Sequence, residues 1–388
     1  MTDSISRRVA VVGIGETAYY RHGQAPVPEF LLAIEAIEKA AADAGLDVRE
    51  LDGFCSYSGE RSDPTRLGTA LGLPDVAFSN MFWGGGGGGV CGAVANAAAA
   101  LAAGFCKYAV VYRSLAQGQF GRFGQSHAPA TVSGRGAYIA PFGLMTPAQQ
   151  IALRTQRFLH DRGATDEALC AVALASYAHA QRNPRAVMYG RPLTREAYYA
   201  ARWIAEPFRL YDCCLENDGA AAVVLTTTER ARDLRHRPAL LLAAAQGSSP
   251  RFEMFGHADA DFAGSNFATV APRLYAQAGI EPKDVDVAQI YENFTGAVVM
   301  SMVEHGFCPP DQVNDFFTAE NLTWPDGGLP INTSGGNLAE CYMHGLELVL
   351  EAVRQIRGTS TCQVDGAQLS LVAGGPASSP VSSLILCA

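Results

Sequence analysis

Short apolar runs alternate along the chain with longer segments whose apolar residues recur at helical spacing, the patterns of buried strands and one-sided helices. The run Val9 to Val12 reads as a strand, and Glu29 to Ala44 as an amphipathic helix. Then come Ala44-Gly-Leu-Asp-Val-Arg-Glu-Leu-Asp52 and a strand-like Gly53 to Tyr57. The same order returns later: Leu240 to Ala245, a helix from about Ala268 to Gln277, Ala278-Gly-Ile-Glu-Pro-Lys-Asp-Val-Asp286, and Val287 to Tyr291. Both nonapeptides read Ala-Gly, aliphatic, three mixed residues, acidic, aliphatic, Asp. The match continues with Gly84 to Gly89, an alanine-rich helix to Gly104 and a strand Lys107 to Tyr112, against Gly335-Gly336, a helix to Gly358 and a strand Leu369 to Ala373. So many correspondences in one order argue for an internal duplication.

Strands alternating with helices predict an α/β fold with helices on the sheet faces, and two such halves packed together give five layers, α/β/α/β/α. The N-terminal half is expected over 1–113 and completed by 209–236, and the C-terminal half over 237–388. Between them, 114–208 stands outside the repeat. Two helices are predicted in it, about Thr146 to His160 and Thr165 to Ala180, with Gly-, Arg- and Tyr-rich loops. A segment of this kind is expected to cap the site.

Composition narrows the function. The 388 residues are 48% hydrophobic, enough for a large core, and carry a net charge of −9 with no basic stripe, which argues against nucleic acid. Met1 to Gly15 lacks the apolar stretch and small-residue cleavage site of a secretory leader, and Ala93 to Phe105 is too short and too weakly apolar to span a bilayer, so a cytoplasmic protein is expected. The ten cysteines form no CxxC pair and the eight histidines no HxH or HExxH spacing, so reduced buried thiols and no metal are expected.

Two longer motifs carry a family resemblance. Pro207-Phe-Arg-Leu-Tyr-Asp-Cys-Cys-Leu-Glu-Asn-Asp-Gly-Ala-Ala-Ala222 and Asn332-Thr-Ser-Gly-Gly336, with the duplicated halves, resemble the thiolase superfamily in its sterol-carrier-protein-thiolase branch. The resemblance covers nearly the whole chain. It implies the thiolase fold, and it sets Gly87 at the nucleophilic cysteine, Val372 before Gly374-Gly375 at the acid/base cysteine, Tyr342 at the catalytic histidine and Tyr291 at the polar motif Tyr291-Glu-Asn-Phe294. Cys91, the nearest thiol, lies one helical turn beyond. Without a thiolate no acyl-enzyme forms. Two phenols in a thioester pocket still supply proton donors and acceptors.

This pattern is similar to the steroid side-chain aldolases of the thiolase-like family. That resemblance implies a catalytic tyrosine pair, retro-aldol cleavage of the CoA thioester of a 17-hydroxylated steroid side chain to a 17-ketosteroid and propionyl-CoA, and an OB-like DUF35 partner in a heterotetramer. A homodimer is expected through Lys107 to Tyr112 as edge strand, with coenzyme A entering only as part of the substrate and no other cofactor. Candidate site residues are Tyr291 and Tyr342 for catalysis, Gly87, Gly374 and His344 for the thioester oxygen, and Arg122, with Arg113 and Arg135, for CoA phosphates. The blander readings stand beside these: either tyrosine as packing, His344 as a structural histidine, the arginines as a solvated face. Two other functions remain open, a degenerate thiolase or acyltransferase using Cys91 and a non-catalytic lipid-binding subunit. A Schiff-base aldolase is disfavoured because Lys39, Lys107 and Lys283 are the only lysines and none has an apolar setting.

Overall fold

The structure, a computed structural model, describes residues 5–84, 86–120, 131–134, 136–250 and 262–388. Arg122 and Arg135 lie outside the described residues. The principal strands are β1 (Val9–Glu16), β2 (Gly53–Tyr57), β3 (Phe78–Phe82), β4 (Ala109–Leu115), β5 (Asn217–Thr227), β6 (Ala239–Gly247), β7 (Val287–Ile290), β8 (Leu369–Gly374) and β9 (Val381–Cys387). The principal helices are α1 (Glu29–Ala44), α2 (Val90–Ala102), α3 (Pro147–Arg162), α4 (Glu167–Ala180), α5 (Ala271–Ala278), α6 (Thr295–Glu304) and α7 (Leu346–Arg357).

The repeated nonapeptide does the same three jobs in each half. Its glycine ends the helix: Gly45 (φ 78°) after α1 and Gly279 (φ 68°) after α5 adopt the left-handed conformation and turn their N–H back onto the last carbonyls. Its first acidic residue in each copy, Asp47 or Glu281, caps a single turn, Val48–Glu50 or Pro282–Asp284. Its last aspartate clamps the start of a neighbouring parallel strand. Asp52 accepts from the N–H groups of Lys107 and Tyr108, and Asp286 from those of Gln368 and Leu369.

Strand order repeats as well. In the first half it runs β1–β5–β4–β2–β3 and in the second β6–β9–β8–β7. Each begins with two antiparallel pairings and continues in parallel. The place of a fifth strand in the second half is marked by one parallel bridge, Ala288 to Ile331. The two runs join where β1 meets β6 at Ala10–Leu240 and Val11–Ala239, giving a ten-stranded sheet that includes Tyr20–Arg21.

Three cores separate the layers. One lies between α1 and the outer face of the first run. The central core holds α2 and α7 between the two runs. The third packs the second run against α5, α6 and the inserted helices α3 and α4. The chain thus has the five-layered arrangement, with the segment 114–208 supplying helices to one outer face. Among the described residues no helix is long and apolar enough to cross a membrane.

Two expectations need correction. The strand expected over Lys107 to Tyr112 forms as β4, but it is internal, antiparallel to β5 and parallel to β2. The edge is β3, whose Phe-Ser-Asn-Met-Phe sequence lacks a continuous apolar run because its middle residues are exposed. The helix expected from Gly336 to Gly358 is also broken. Gly336–Glu340 forms one wide turn, Cys341 is extended, and α7 begins only at Leu346. Tyr342 therefore sits in a loop rather than at a helix start.

The first core depends on glycine. A Cβ on Gly15 of β1 would lie 2.2 Å from the carbonyl oxygen of Ala36, so α1 rests directly on the strand backbone. Gly15→Val should cost on the order of 1–3 kcal/mol through overpacking, read as a lower urea midpoint. An unchanged midpoint would mean that α1 does not make this approach.

Candidate active site

Tyr291 follows the last residue of β7, where the chain leaves the sheet. Asn332 holds this end from both sides, its Oδ1 accepting from Ile290 N–H at 2.7 Å and its Nδ2 donating to Ile290 O at 2.9 Å. Tyr291 N–H donates to Ala373 O of β8 at 2.9 Å. Tyr342 is set by the loop ahead of α7, its N–H donating to Asn217 Oδ1 of β5 at 2.6 Å. The next N–H, of Met343, donates to Glu347 at 3.2 Å, and Tyr57 Oη donates to His344 O at 3.1 Å. Asn337 bridges the two positions, accepting from Glu292 N–H at 2.9 Å and donating to Glu347.

These supports bring the two hydroxyls to 2.7 Å, in hydrogen bond, with ring centroids 6.0 Å apart. Tyr291 is 2% and Tyr342 8% exposed, and both line a cavity of about 1110 Å³. Its apolar wall includes Tyr177, Met188, Leu210, Tyr211, Leu215 and Phe294, and its polar groups include Arg61, Arg202, Glu216 and Asn293. The inserted segment supplies Thr146 to Gln149, Tyr177 and Met188. A second, open depression of about 530 Å³ at the end of α5 is lined by surface residues, among them the mutually paired Glu281 and Lys283, and includes neither tyrosine.

Gly87 is needed here for space. A Cβ on it would fall 2.1 Å from Cε2 of Tyr291, so the ring occupies the room that a side chain at 87 would take. The glycine turns of the two halves also meet backbone to backbone: a Cβ on Gly375 would lie 2.0 Å from Gly88 N. Gly375 lines the cavity, whereas Gly374 sits behind it against Val90 and the carbonyl of Gly87.

Burial pushes both phenols well above their ordinary range, and each is further raised by charge on a neighbour, Tyr342 for Tyr291 and Cys214 for Tyr342. For Tyr342 the hydrogen bond with Tyr291 and then the Arg113 guanidinium pull the other way. Arg113 is 1% exposed and paired with Glu60 at 2.9 Å. It is therefore a buried cavity residue rather than a solvated phosphate-binding one. Burial alone would raise the Glu60 carboxyl, but Arg113 and the N–H groups of Ser114 and Ser62 outweigh it and hold Glu60 below its usual range. His344 lines the cavity, its ring edge-on to Tyr342 at 5.0 Å. Burial and then the Arg113 and Arg61 charges hold its imidazole well below the ordinary range.

Cys91, the alternative nucleophile, is 1% exposed, points its thiol at Val372 O at 3.5 Å, is absent from the cavity wall, and is pushed upward by burial. The thiols that do line the cavity are Cys213 and Cys214. Among the described residues no three His, Cys, Asp or Glu side chains cluster as a metal site. Sequence reasoning missed Glu60, Asn217, Asn337 and Glu347. Glu60, Asn217 and Asn337 act on backbone 45 to 125 residues away, whereas Glu347 acts on Met343 only four residues back, and nothing in the local sequence marks these polar groups as partners of the tyrosine loops.

The Thiolase C-terminal domain-like family matches residues 253–386. The chain is 39% identical to the 17-hydroxy-3-oxo-4-pregnene-20-carboxyl-CoA lyase of Mycobacterium tuberculosis, over 98% of this chain and 100% of that one. It is also 39% identical to the steroid side-chain-cleaving aldolase of Thermomonospora curvata, over 97% of each. The solved Ltp2-ChsH2(DUF35) aldolase superposes with a TM-score of 0.92 at 38% identity, covering 100% of this chain and 99% of that one. With likeness of this degree along its full length, the chain belongs to the thiolase-like family of steroid side-chain-cleaving aldolases.

Proposed function

We propose that this protein cleaves a β-hydroxyacyl-CoA by a retro-aldol reaction, its substrate being the CoA thioester of a 17-hydroxylated steroid side chain and its products a 17-ketosteroid and propionyl-CoA. The observation that carries the reading is the 2.7 Å hydrogen bond between Tyr291 and Tyr342 on the cavity wall. A retro-aldol cleavage takes one proton from a hydroxyl and returns one to a carbon. As the base removes the hydroxyl proton, the oxygen pair closes the ketone and the Cα–Cβ pair moves into the thioester enolate. The acid then protonates Cα. A direct bond between the two phenols lets the captured proton cross to the donor, so the pair resets without solvent. The hydrogen bond between the phenols lowers Tyr342 and raises Tyr291, and the Arg113 charge adds to the first effect, so we assign Tyr342 as the base and Tyr291 as the acid. Backbone N–H groups at the turns of Gly87 and Gly375, which line the cavity where the expected Gly374 does not, and the His344 ring are the proposed donors to the enolate oxygen.

The names of the relatives support the substrate class, and the cavity volume suits a multi-ring ligand with the end of a thioester arm. The mechanism we propose needs neither Schiff base nor metal. Among the described residues no lysine lines the cavity, Lys39 and Lys283 being solvent-exposed partners of Glu35 and Glu281. We further propose a DUF35-type partner, on the strength of the likeness to the Ltp2-ChsH2(DUF35) aldolase, within a heterotetramer built on a homodimer. The edge strand β3, which carries exposed Met81 and is followed by exposed Trp83, is the surface we assign to the dimer. All ten cysteines are free thiols, which fits the cytoplasm, where CoA thioesters are handled.

The test is an assay of the purified chain, with and without a DUF35-type partner, on a β-hydroxyacyl-CoA steroid. Tyr291→Phe and Tyr342→Phe should each lose at least about 10²-fold in kcat. The double variant should lose far less than the product of the two losses, since the groups act as a unit. A near-wild-type rate in either single variant would make that tyrosine structural. Because the base works only when deprotonated and its pKa is raised, kcat/KM should climb about tenfold per unit between roughly pH 7 and 9. Tyr342→Phe should flatten this climb in its residual activity and Tyr291→Phe should keep it; the reverse pattern would exchange the roles. Cys91→Ala should keep most of the activity, and loss of turnover in a folded variant would restore the thiolase reading.

A further inference from the structure

One buried chain of groups runs from Glu60 through Arg113 to His344 at the cavity, and the proposed mechanism leaves open which ring nitrogen of His344 donates and what fixes it. We infer that His344 acts as a neutral imidazole whose Nε2–H donates to the thioester carbonyl oxygen, and that Arg113 is the positioning residue that fixes this tautomer. The inference rests on the aldolase reading for the identity of the oxygen.

The geometry decides the tautomer. Arg113 Nε lies 3.0 Å from His344 Nδ1. A guanidinium nitrogen carries hydrogen and offers no lone pair, so it only donates. Nδ1 must then be the unprotonated acceptor, and a neutral ring with a bare Nδ1 carries its hydrogen on Nε2. A second proton on the ring would put two cations in contact where Arg113 is 1% and His344 5% exposed. Arg61, also on the cavity wall, adds repulsion.

The rest of the surroundings holds this arrangement. Arg113 Nη1 donates to Glu60 at 2.9 Å and Nη2 to Ser58 O at 3.2 Å, which fixes the guanidinium plane. Glu60 is further engaged by the N–H groups of Ser62 and Ser114 at 2.8 Å each and by the Ser114 hydroxyl at 2.8 Å, so it stays with the first half. Tyr57 holds the His344 backbone, which has φ 51°, through its carbonyl. The titratable and charged groups facing the ring are thus Arg113 from β4, Glu60 and Arg61 from the loop after β2, Tyr57 from β2, and Tyr342 beside it. A neutral donor suits an enolate oxygen because it stabilises charge without surrendering a proton to oxygen, leaving carbon to be protonated by the phenol.

Two measurements on the full-length chain test this. In ¹⁵N-histidine NMR, with the resonance assigned by its loss in His344→Gln, Nδ1 should be unprotonated and Nε2 protonated, unchanged between roughly pH 5.5 and 8.5. An imidazolium at neutral pH or an Nδ1–H tautomer overturns the inference. In kinetics, a glutamine amide nitrogen reaches the place of Nε2 and an asparagine amide that of Nδ1. His344→Gln should stay within about tenfold of wild-type kcat, and His344→Asn should lose about 10²–10³-fold, although the left-handed backbone favours asparagine. Equal or better activity from asparagine overturns it. The neutral double variant Glu60→Gln/Arg113→Gln should gain an acid limb in its kcat profile at or below about pH 6.5, and a profile unchanged from wild type removes Arg113 from the role. The NMR result needs no turnover, so it can fail while the tyrosine results stand, and the tyrosine results can fail while it stands.

Discussion

Two side chains cannot share the space between Gly87 and Tyr291. A Cβ at 87 would lie 2.1 Å from the Tyr291 ring, so the site admits a side chain from the glycine turn or a ring from the end of β7. In this chain the ring is present. The same ring also excludes a side chain at Gly345, where a Cβ would meet its Cδ2 at 2.8 Å. Both neighbours of the ring must therefore be glycine, and the main chain closes around a phenol instead of presenting a thiol. The absence of a nucleophile at 87 and the presence of the tyrosine pair are one packing solution.

That solution is held by polar groups inside a dry interior. Glu292 and Glu347 are 0% exposed, and burial raises the Glu292 carboxyl to about 8 and Glu347 well above its ordinary range. Such groups are tolerable only when hydrogen-bonded. Ser176 donates to Glu292 at 2.6 Å, while Asn337 and the Met343 N–H donate to Glu347. The bonds that satisfy these acids are also those that fix the backbone next to Tyr291 and Tyr342. A densely bonded buried network has few alternative arrangements, which suits two hydroxyls held within one hydrogen bond of each other.

The site belongs to both halves. Tyr291, Tyr342 and His344 come from the second, while Gly87, Tyr57, Glu60 and Arg113 come from the first, and Asn217 reaches from β5 to the Tyr342 loop. The joint itself is a short strand pairing between β1 and β6. Most of the contact runs through α2 and α7 in the central core, and the site lies near the starts of those helices, where glycine turns let the two backbones approach. A duplicated fold thus places matching helix entrances face to face, and the tyrosine pair occupies the seam.

The sequence by itself determined the duplication, the layered α/β class, the tyrosine pair and the loss of the nucleophile. These depend on local information: helix stops at Gly45 and Gly279, capping acids, strand-length apolar runs, and residue identities at motif positions. It misjudged β4 as an edge, because whether a strand is internal depends on which later strand returns beside it, and β5 arrives from more than a hundred residues downstream. It ran the helix through Tyr342, because the pull of Asn217 on that loop, from 125 residues away, is tertiary and overrides helical propensity. Only the tertiary structure decided that Arg113 is buried against Glu60 rather than exposed, that Cys91 is sealed from the cavity, and that His344 faces a donor on its Nδ1 side. Charge state and tautomer are properties of neighbours in space, and those neighbours are far apart in sequence.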